Sequence, residues 1–241
     1  IVSLTAYSKS VARMLDKYCD IVLVGDSMAN VLYGQENTHQ ISLQNIIEHS
    51  LSVKKGLNKS LLVVDMPKGS YRNKLIAKKN AKLIKKETKC DAVKLENNKD
   101  NFKIIKELVT SKIPVMGHIG YTPQFKKRFK IQGSSLKEEK KLTYEASRIE
   151  KAGAFSIVLE CISSKVAMKI TNLVRVPTIG IGSSKNCDGQ ILVTDDLIGL
   201  SGFYPKFVKK YLDLQKHLSR AIKNFTKDVK SNTFPTKSNT Y

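Results

Sequence analysis

Ile21-Val22-Leu23-Val24-Gly25-Asp26-Ser27 is a short apolar run that stops on a glycine, a carboxylate and a hydroxyl. Three other runs end on charge in the same way: Leu61-Leu62-Val63-Val64 on Asp65, Ala92-Val93 on Lys94-Leu95-Glu96, and Phe155-Ser156-Ile157-Val158-Leu159 on Glu160. Short β-rich apolar runs separated by helix-length polar segments are the pattern of parallel strands covered on both faces by crossover helices. Further candidates near 1–5, 113–118 and 177–181, with a weaker one around 191–200, bring the expected strands to eight. Helical stripes fill the gaps: Leu43, Ile46, Ile47 and Leu51 behind a Ser42 cap; Phe102, Ile105, Leu108 and Val109; Val166, Ala167, Ile170 and Val174. A doubly wound sheet gives a similar alternation, but eight βα units with charges at scattered strand ends favour a closed α/β (β/α)8 TIM barrel. The length of 241 residues suits one such barrel, which takes about 250. The expected organisation is a single barrel domain over residues 1–230, with one or two terminal helices between 204 and 230, and a polar, loose tail over 231–241.

Composition narrows the function classes. The formal net charge is +21, yet only six of the 42 basic residues are arginine, whereas phosphate and guanine recognition favours the planar guanidinium fork. The lysines are spread over most helices without an aromatic nucleic-acid motif, so no nucleic-acid partner is expected. The charge can still steer anionic substrates at long range. No apolar run approaches the roughly 18 residues of a membrane span and no signal peptide is visible, so no membrane partner is expected and the cytoplasm is the expected location. Cys19, Cys90, Cys161 and Cys187 form no CxxC pair and read as ordinary reduced thiols.

The ends of parallel barrel strands share one rim, where catalytic groups come from several strands. Lys94 and Glu96, two apart on one strand, point to the same side while Leu95 points away. Inward charges are costly unless paired or metal-bound. Asp26 and Asp65 can supply oxygen ligands to Mg²⁺, which uses one or two carboxylates and completes its shell with water or substrate, leaving Glu96 to hold a metal water. Either aspartate singly also fits a helix N-cap after a βα turn. Glu160, between apolar neighbours, fits a general base or a salt bridge to a neighbouring strand's lysine. His118 fits a structural hydrogen bond as well as a ligand or acid. The glycines of Ile179-Gly180-Ile181-Gly182-Ser183-Ser184 allow close backbone approach to a ligand but do not match GxGxxG.

Taken together, Leu4-Thr5-Ala6-Tyr7, Val24-Gly25-Asp26-Ser27, Asp65-Met66-Pro67, Val93-Lys94-Leu95-Glu96, Gly117-His118-Ile119-Gly120-Tyr121-Thr122-Pro123-Gln124, Val158-Leu159-Glu160-Cys161, Ile179-Gly180-Ile181-Gly182, Asp188-Gly189-Gln190-Ile191-Leu192-Val193 and Pro205-Lys206-Phe207 give the chain a near end-to-end resemblance to the ketopantoate hydroxymethyltransferase family. The resemblance implies a barrel of the phosphoenolpyruvate mutase and isocitrate lyase superfamily. It implies Mg²⁺ held around Asp26, Asp65 and Glu96, substrate contacts from Asp26, Ser27, Asp65 and Lys94, and Glu160 as proton acceptor. The implied substrates are 3-methyl-2-oxobutanoate and 5,10-methylenetetrahydrofolate, the pathway is pantothenate synthesis, and the implied assembly is a homodecamer. The chain departs from the family's usual pattern at Asn97-Asn98, where two glycines are normal, at Ser183-Ser184, an Ala-Gly pair elsewhere, at Lys68, usually Phe, and in a shortened stretch from Phe125 to Ile131. These departures touch substrate-loop and folate contacts and leave the metal and base residues intact. A lyase or mutase on the same rim is disfavoured because no Lys-Arg-Cys-Gly-His-like loop is present, and a polyanion-binding barrel is favoured by net charge alone.

Overall fold

Eight parallel strands close into a barrel in chain order, β8 pairing back onto β1, in a computed structural model that describes residues 1–99, 101–126, 129–202 and 204–241. The strands are β1 (Val2–Thr5), β2 (Ile21–Val24), β3 (Leu61–Asp65), β4 (Ala92–Glu96), β5 (Val115–Gly120), β6 (Ser156–Glu160), β7 (Thr178–Ile181) and β8 (Gly189–Leu192). Seven helices belong with them: α1 (Lys9–Leu15), α2 (Met28–Val31), α3 (Leu43–Lys54), α4 (Lys74–Thr88), α5 (Phe102–Thr110), α6 (Leu136–Lys151) and α7 (Ser164–Leu173). The expected barrel is therefore present. The fifth strand runs two residues beyond expectation, carrying His118 inside it instead of at its end. The eighth is shorter than the region 191–200, because Thr194–Leu197 turn into helix α8.

Caps set the helix starts. Ser42 and Asn45 form a reciprocal capping box at α3, and Asn73 and Ser135 accept from the third amides of α4 and α6. The buried stripes then pack on the outer strand face. On α3 that stripe is Ile46, Ile47, Ser50 and Val53, while Leu51 is exposed.

Alternation divides each strand's residues between two cores. Val22, Val24, Leu62, Val64, Val93, Leu95, Ile119, Ile157 and Leu159 join the helices in the outer core. Ile21, Leu23, Val63, Ala92, Met116, Val158, Ile179 and Ile191 fill the barrel interior. Asp65 shares parity with Val63, Lys94 and Glu96 with Ala92, His118 with Met116, and Glu160 with Val158. The pattern that places apolar side chains inside the barrel thus also brings these charged ones inward at its carboxyl end.

The chain falls into two compact units, residues 1–193 and 194–241. The second contains α8, α9 (Leu214–Lys230) and a 3-10 turn at Lys237–Asn239. Within it Phe225 and Phe234 meet edge to face at 5.4 Å. The shortened stretch 125–131 lies partly outside the described residues. Among the described residues no helix is long and apolar enough to cross a membrane.

Candidate active site

Parallel register lines up the inward residues. Asp65 stands beside Lys94 across β3 and β4, Glu96 beside His118 across β4 and β5, and Gly120 beside Glu160 across β5 and β6. Lys94 Nζ donates to Asp65 Oδ1 at 2.5 Å, both groups being almost fully buried. Asp65 Oδ2 accepts the Asp26 amide at 3.1 Å, drawing the β2–α2 turn over the barrel mouth. Neither aspartate caps a helix: α2 starts after Ser27 without a side-chain cap, and α4 takes its cap from Asn73. Ser27 instead meets the Tyr7 hydroxyl at 2.8 Å.

Among the described residues Glu160 turns to His118 and not to a lysine. His118 Nε2 lies 3.2 Å from Glu160 Oε2, and its Nδ1 lies 3.8 Å from Glu96 Oε1. Neither contact has hydrogen-bond alignment, so both ring nitrogens and Glu96 Oε1 are buried without a hydrogen-bond partner among the described residues. Glu160 is the opening in this cluster, its side chain retaining 19% exposure against 2% for His118. It therefore sits at the barrel mouth and is not sealed among apolar neighbours.

Two residues outside the expected site, Gln124 and Tyr71, organise the carboxylates; of these only Gln124 stands in a motif that carries the family resemblance. Gln124, fully buried, donates through Nε2 to Asp26 Oδ2 at 2.8 Å and to the Met66 carbonyl at 3.1 Å, and its amide N–H donates to Glu96 Oε2 at 3.0 Å. Tyr71 Oη donates to Gln124 Oε1 at 2.5 Å, which fixes the orientation of the carboxamide. Tyr71 has no sequence signal and Gln124 only its place at the end of the Gly117-to-Gln124 motif: what a loop glutamine or tyrosine does becomes legible only when the loops after β3 and β5 are seen to fold over the rim.

The electrostatics are out of balance. Among the described residues Asp26, Asp65, Glu96 and Glu160 gather around one ammonium, Lys94. Burial, with Asp65 adding repulsion, raises the Asp26 carboxyl to about 7 against the opposing pull of Lys94 and Gln124. Burial and the Asp26 charge raise Glu96 well above the carboxylate range. Burial lowers His118, keeping the imidazole neutral. Burial also works against the Lys94 ammonium, but Asp65, Asp26 and Glu96 outweigh it and hold the lysine charged. Excess buried acid with an orphaned Glu96 oxygen is an environment that a divalent cation would neutralise. Among the described residues no three His, Cys, Asp or Glu side chains already form a ligand cluster; Lys94 and the Asp26 amide each engage one Asp65 oxygen, and Gln124 engages one Asp26 oxygen. The donor set thus fits a hard cation that takes one or two carboxylates and draws its remaining oxygens from water or a chelating ligand.

A parallel eight-stranded barrel with acids from several strand ends on its carboxyl rim defines a (β/α)8 enzyme. Its shape is that of the phosphoenolpyruvate mutase and isocitrate lyase superfamily. It superposes on a 2,3-dimethylmalate lyase of that superfamily with a TM-score of 0.63 at 14% identity, covering 98% of this chain and 84% of the other. For the phosphoenolpyruvate phosphomutase from Streptomyces platensis subsp. rosaceus the TM-score is 0.66 at 9% identity, covering 96% and 83%. Identities this low speak for the fold alone. The family described as ketopantoate hydroxymethyltransferase matches residues 1–237. A 3-methyl-2-oxobutanoate hydroxymethyltransferase from Pelagibacter ubique (strain HTCC1062) is 52% identical over 241 residues, covering 100% of this chain and 94% of the relative. Those of Bartonella tribocorum (strain CIP 105476 / IBS 506), 46% identical with coverage of 100% and 90%, and Anaplasma marginale (strain St. Maries), 45% identical with coverage of 98% and 86%, are similar throughout. The chain belongs to the ketopantoate hydroxymethyltransferase family and is an enzyme, a transferase.

Proposed function

We propose that the enzyme transfers a hydroxymethyl group to C3 of 3-methyl-2-oxobutanoate from 5,10-methylenetetrahydrofolate, in the Mg²⁺-dependent step of pantothenate synthesis that yields 2-dehydropantoate and tetrahydrofolate. The observation that carries this reading is the convergence of Asp26, Asp65, Lys94 and Glu96 with the His118–Glu160 pair on one rim. Asp26 and Asp65 would hold Mg²⁺ directly and Glu96 through a water. The bound cation supplies Lewis-acid polarisation of the 2-oxo group, which makes the C3 proton removable. Glu160, the exposed carboxylate of the cluster, takes that proton. Neutral His118, 3.2 Å away, leaves Glu160 without a cationic partner on that side. Lys94 faces the substrate oxygen that gains charge as the C3–H bond breaks, and Ser27, held by Tyr7, adds a hydrogen bond to the oxo acid. C3 then forms its bond to the methylene carbon, both carbon–nitrogen bonds of the donor break, water supplies the hydroxyl oxygen, and the remaining water hydrogen and the proton taken from C3 end on the two nitrogens of the departing tetrahydrofolate.

The partners in this reading are the two small-molecule substrates and further copies of the chain. No nucleic acid or membrane takes part, and the setting is the cytoplasm. Self-association, a homodecamer by the family resemblance, is supported by α9, whose Leu218, Ile222, Phe225 and Val229 leave an apolar stripe exposed. A coupled assay with both substrates tests the reaction: 2-dehydropantoate should form only with oxo acid, folate donor and Mg²⁺ together. Turnover that persists without the folate donor, or with chelator in excess, contradicts the proposal.

A further inference from the structure

Glu160 closes β6, and among the described residues the close ionic contact of its carboxylate is the poorly aligned one with His118 at 3.2 Å. The aim of that side chain is therefore set by the backbone beneath it. On the β5 side the Glu160 carbonyl accepts the Tyr121 amide at 2.8 Å, and on the β7 side the Cys161 amide donates to the Ile181 carbonyl at 2.8 Å. The chain then leaves the strand through Cys161 at φ +52, in the left-handed region that residues other than glycine rarely adopt. Such a conformation persists only where its surroundings over-determine it. Ser183, in the loop between β7 and β8, supplies that restraint: its hydroxyl donates to the Leu159 carbonyl at 2.7 Å and accepts the Ile162 amide at 3.1 Å. One side chain thus ties the residue before Glu160 to the second residue after it, across Cys161. The loop is itself anchored to β8, where Gln190 Nε2 donates to the Ser184 carbonyl at 2.8 Å.

We infer that Ser183 is a positioning residue for Glu160, bracketing the turn that aims the carboxylate into the barrel mouth; the inference rests on the reading above in which Glu160 takes the C3 proton. A hydroxyl suits the task because it offers one donor to a carbonyl and a lone pair to an amide N–H at the same time. Ser183 acts through the backbone of Leu159 and Ile162, not on the oxo acid or the cation, so its loss should slow proton removal and leave oxo-acid binding unaltered. It stands where the family usually has alanine, which has no hydroxyl. Ser183→Ala should therefore fold, and its effect is a loss of rate and not of the reaction.

Wild type, Ser183→Ala and Ser183→Thr, the last of which keeps a hydroxyl, are compared in two measurements. Amide hydrogen exchange, read by mass spectrometry on the peptide holding Ile162 with neither Mg²⁺ nor substrate present, should be roughly two- to tenfold faster in Ser183→Ala, the range for one lost neutral hydrogen bond. Deuterium uptake at C3 of 3-methyl-2-oxobutanoate, with Mg²⁺ and no folate, should show kcat lowered about fivefold or more and KM held within about twofold, because a misplaced base loses rate and not affinity. Ser183→Thr should bring both measurements back to within about twofold of wild type. Wild-type kcat in Ser183→Ala overturns the inference even if the Ile162 amide is freed. So does a raised KM at unchanged kcat, or a Ser183→Thr enzyme that protects the Ile162 amide yet stays as slow as Ser183→Ala. A wild-type enzyme with no C3 uptake at all overturns the proton-transfer reading itself, a failure distinct from that of Ser183.

Discussion

Asp26 carries the clearest sign of the excess of buried acid at the rim. A carboxyl raised in the folded state from the ordinary value near 4 to about 7 binds more protons folded than unfolded between those limits, so its contribution to stability falls as pH rises through that window. Glu96 acts in the same direction. The metal-free enzyme should therefore lose thermal stability between about pH 4 and 7, and Mg²⁺ with oxo acid should flatten the decline; a Tm series with and without Mg²⁺ would reject the charge-excess argument if the two curves ran parallel. Lys94 is the ammonium of the acid cluster, paired with Asp65 at 2.5 Å. Replacing it with Met removes the charge while keeping much of the apolar stem, and the folded enzyme should bind the oxo acid at least tenfold more weakly. Equal affinity in a binding titration would remove Lys94 from the substrate contacts.

At the level of elements, β5 illustrates both what is legible in the sequence and what is not. Period-two alternation places Lys94, Glu96, His118 and Glu160 inward once the strands are recognised, because a parallel barrel leaves strand side chains only two faces. Asp65, Glu96 and Glu160 can thus be named from the order of residues along the chain, whereas Asp26 lies past the end of β2, in the turn before α2. Gln124 and Tyr71 cannot, since their contacts depend on how loops of different strands cross the mouth, and no periodicity governs a loop. The apolar run alone puts His118 at a strand end, whereas β5 continues to Gly120. That glycine ends the strand at φ +101, and a Cβ there would collide with the Glu160 carbonyl. Gly120→Ala should therefore cost about 2–4 kcal/mol from the positive φ and the overlap and displace the Glu160 strand end. Chemical denaturation showing a loss under about 0.5 kcal/mol would mean that the β5–β6 junction is more pliable than its packing implies.

For the molecule as a whole, the apolar stripe of α9 predicts association. Replacing Ile222, 63% exposed, with Asp should reduce the mass measured by light scattering from a multiple of the 27.0 kDa chain toward a smaller species. An unchanged mass would place the contacts between copies elsewhere. In the proposed reaction, strand ends separated in sequence converge so that an activated oxo acid loses its C3 proton to Glu160. Proton NMR in heavy water follows that step alone, with Mg²⁺ and 3-methyl-2-oxobutanoate but no folate, in wild type and Glu160→Gln. The substitution keeps side-chain size, so Mg²⁺ and oxo-acid binding should persist while deuterium uptake at C3 falls by roughly 10²–10⁴-fold. Uptake in Glu160→Gln at the wild-type rate would contradict the account and move the base to another group on the rim, with His118, 3.2 Å from Glu160, first in line.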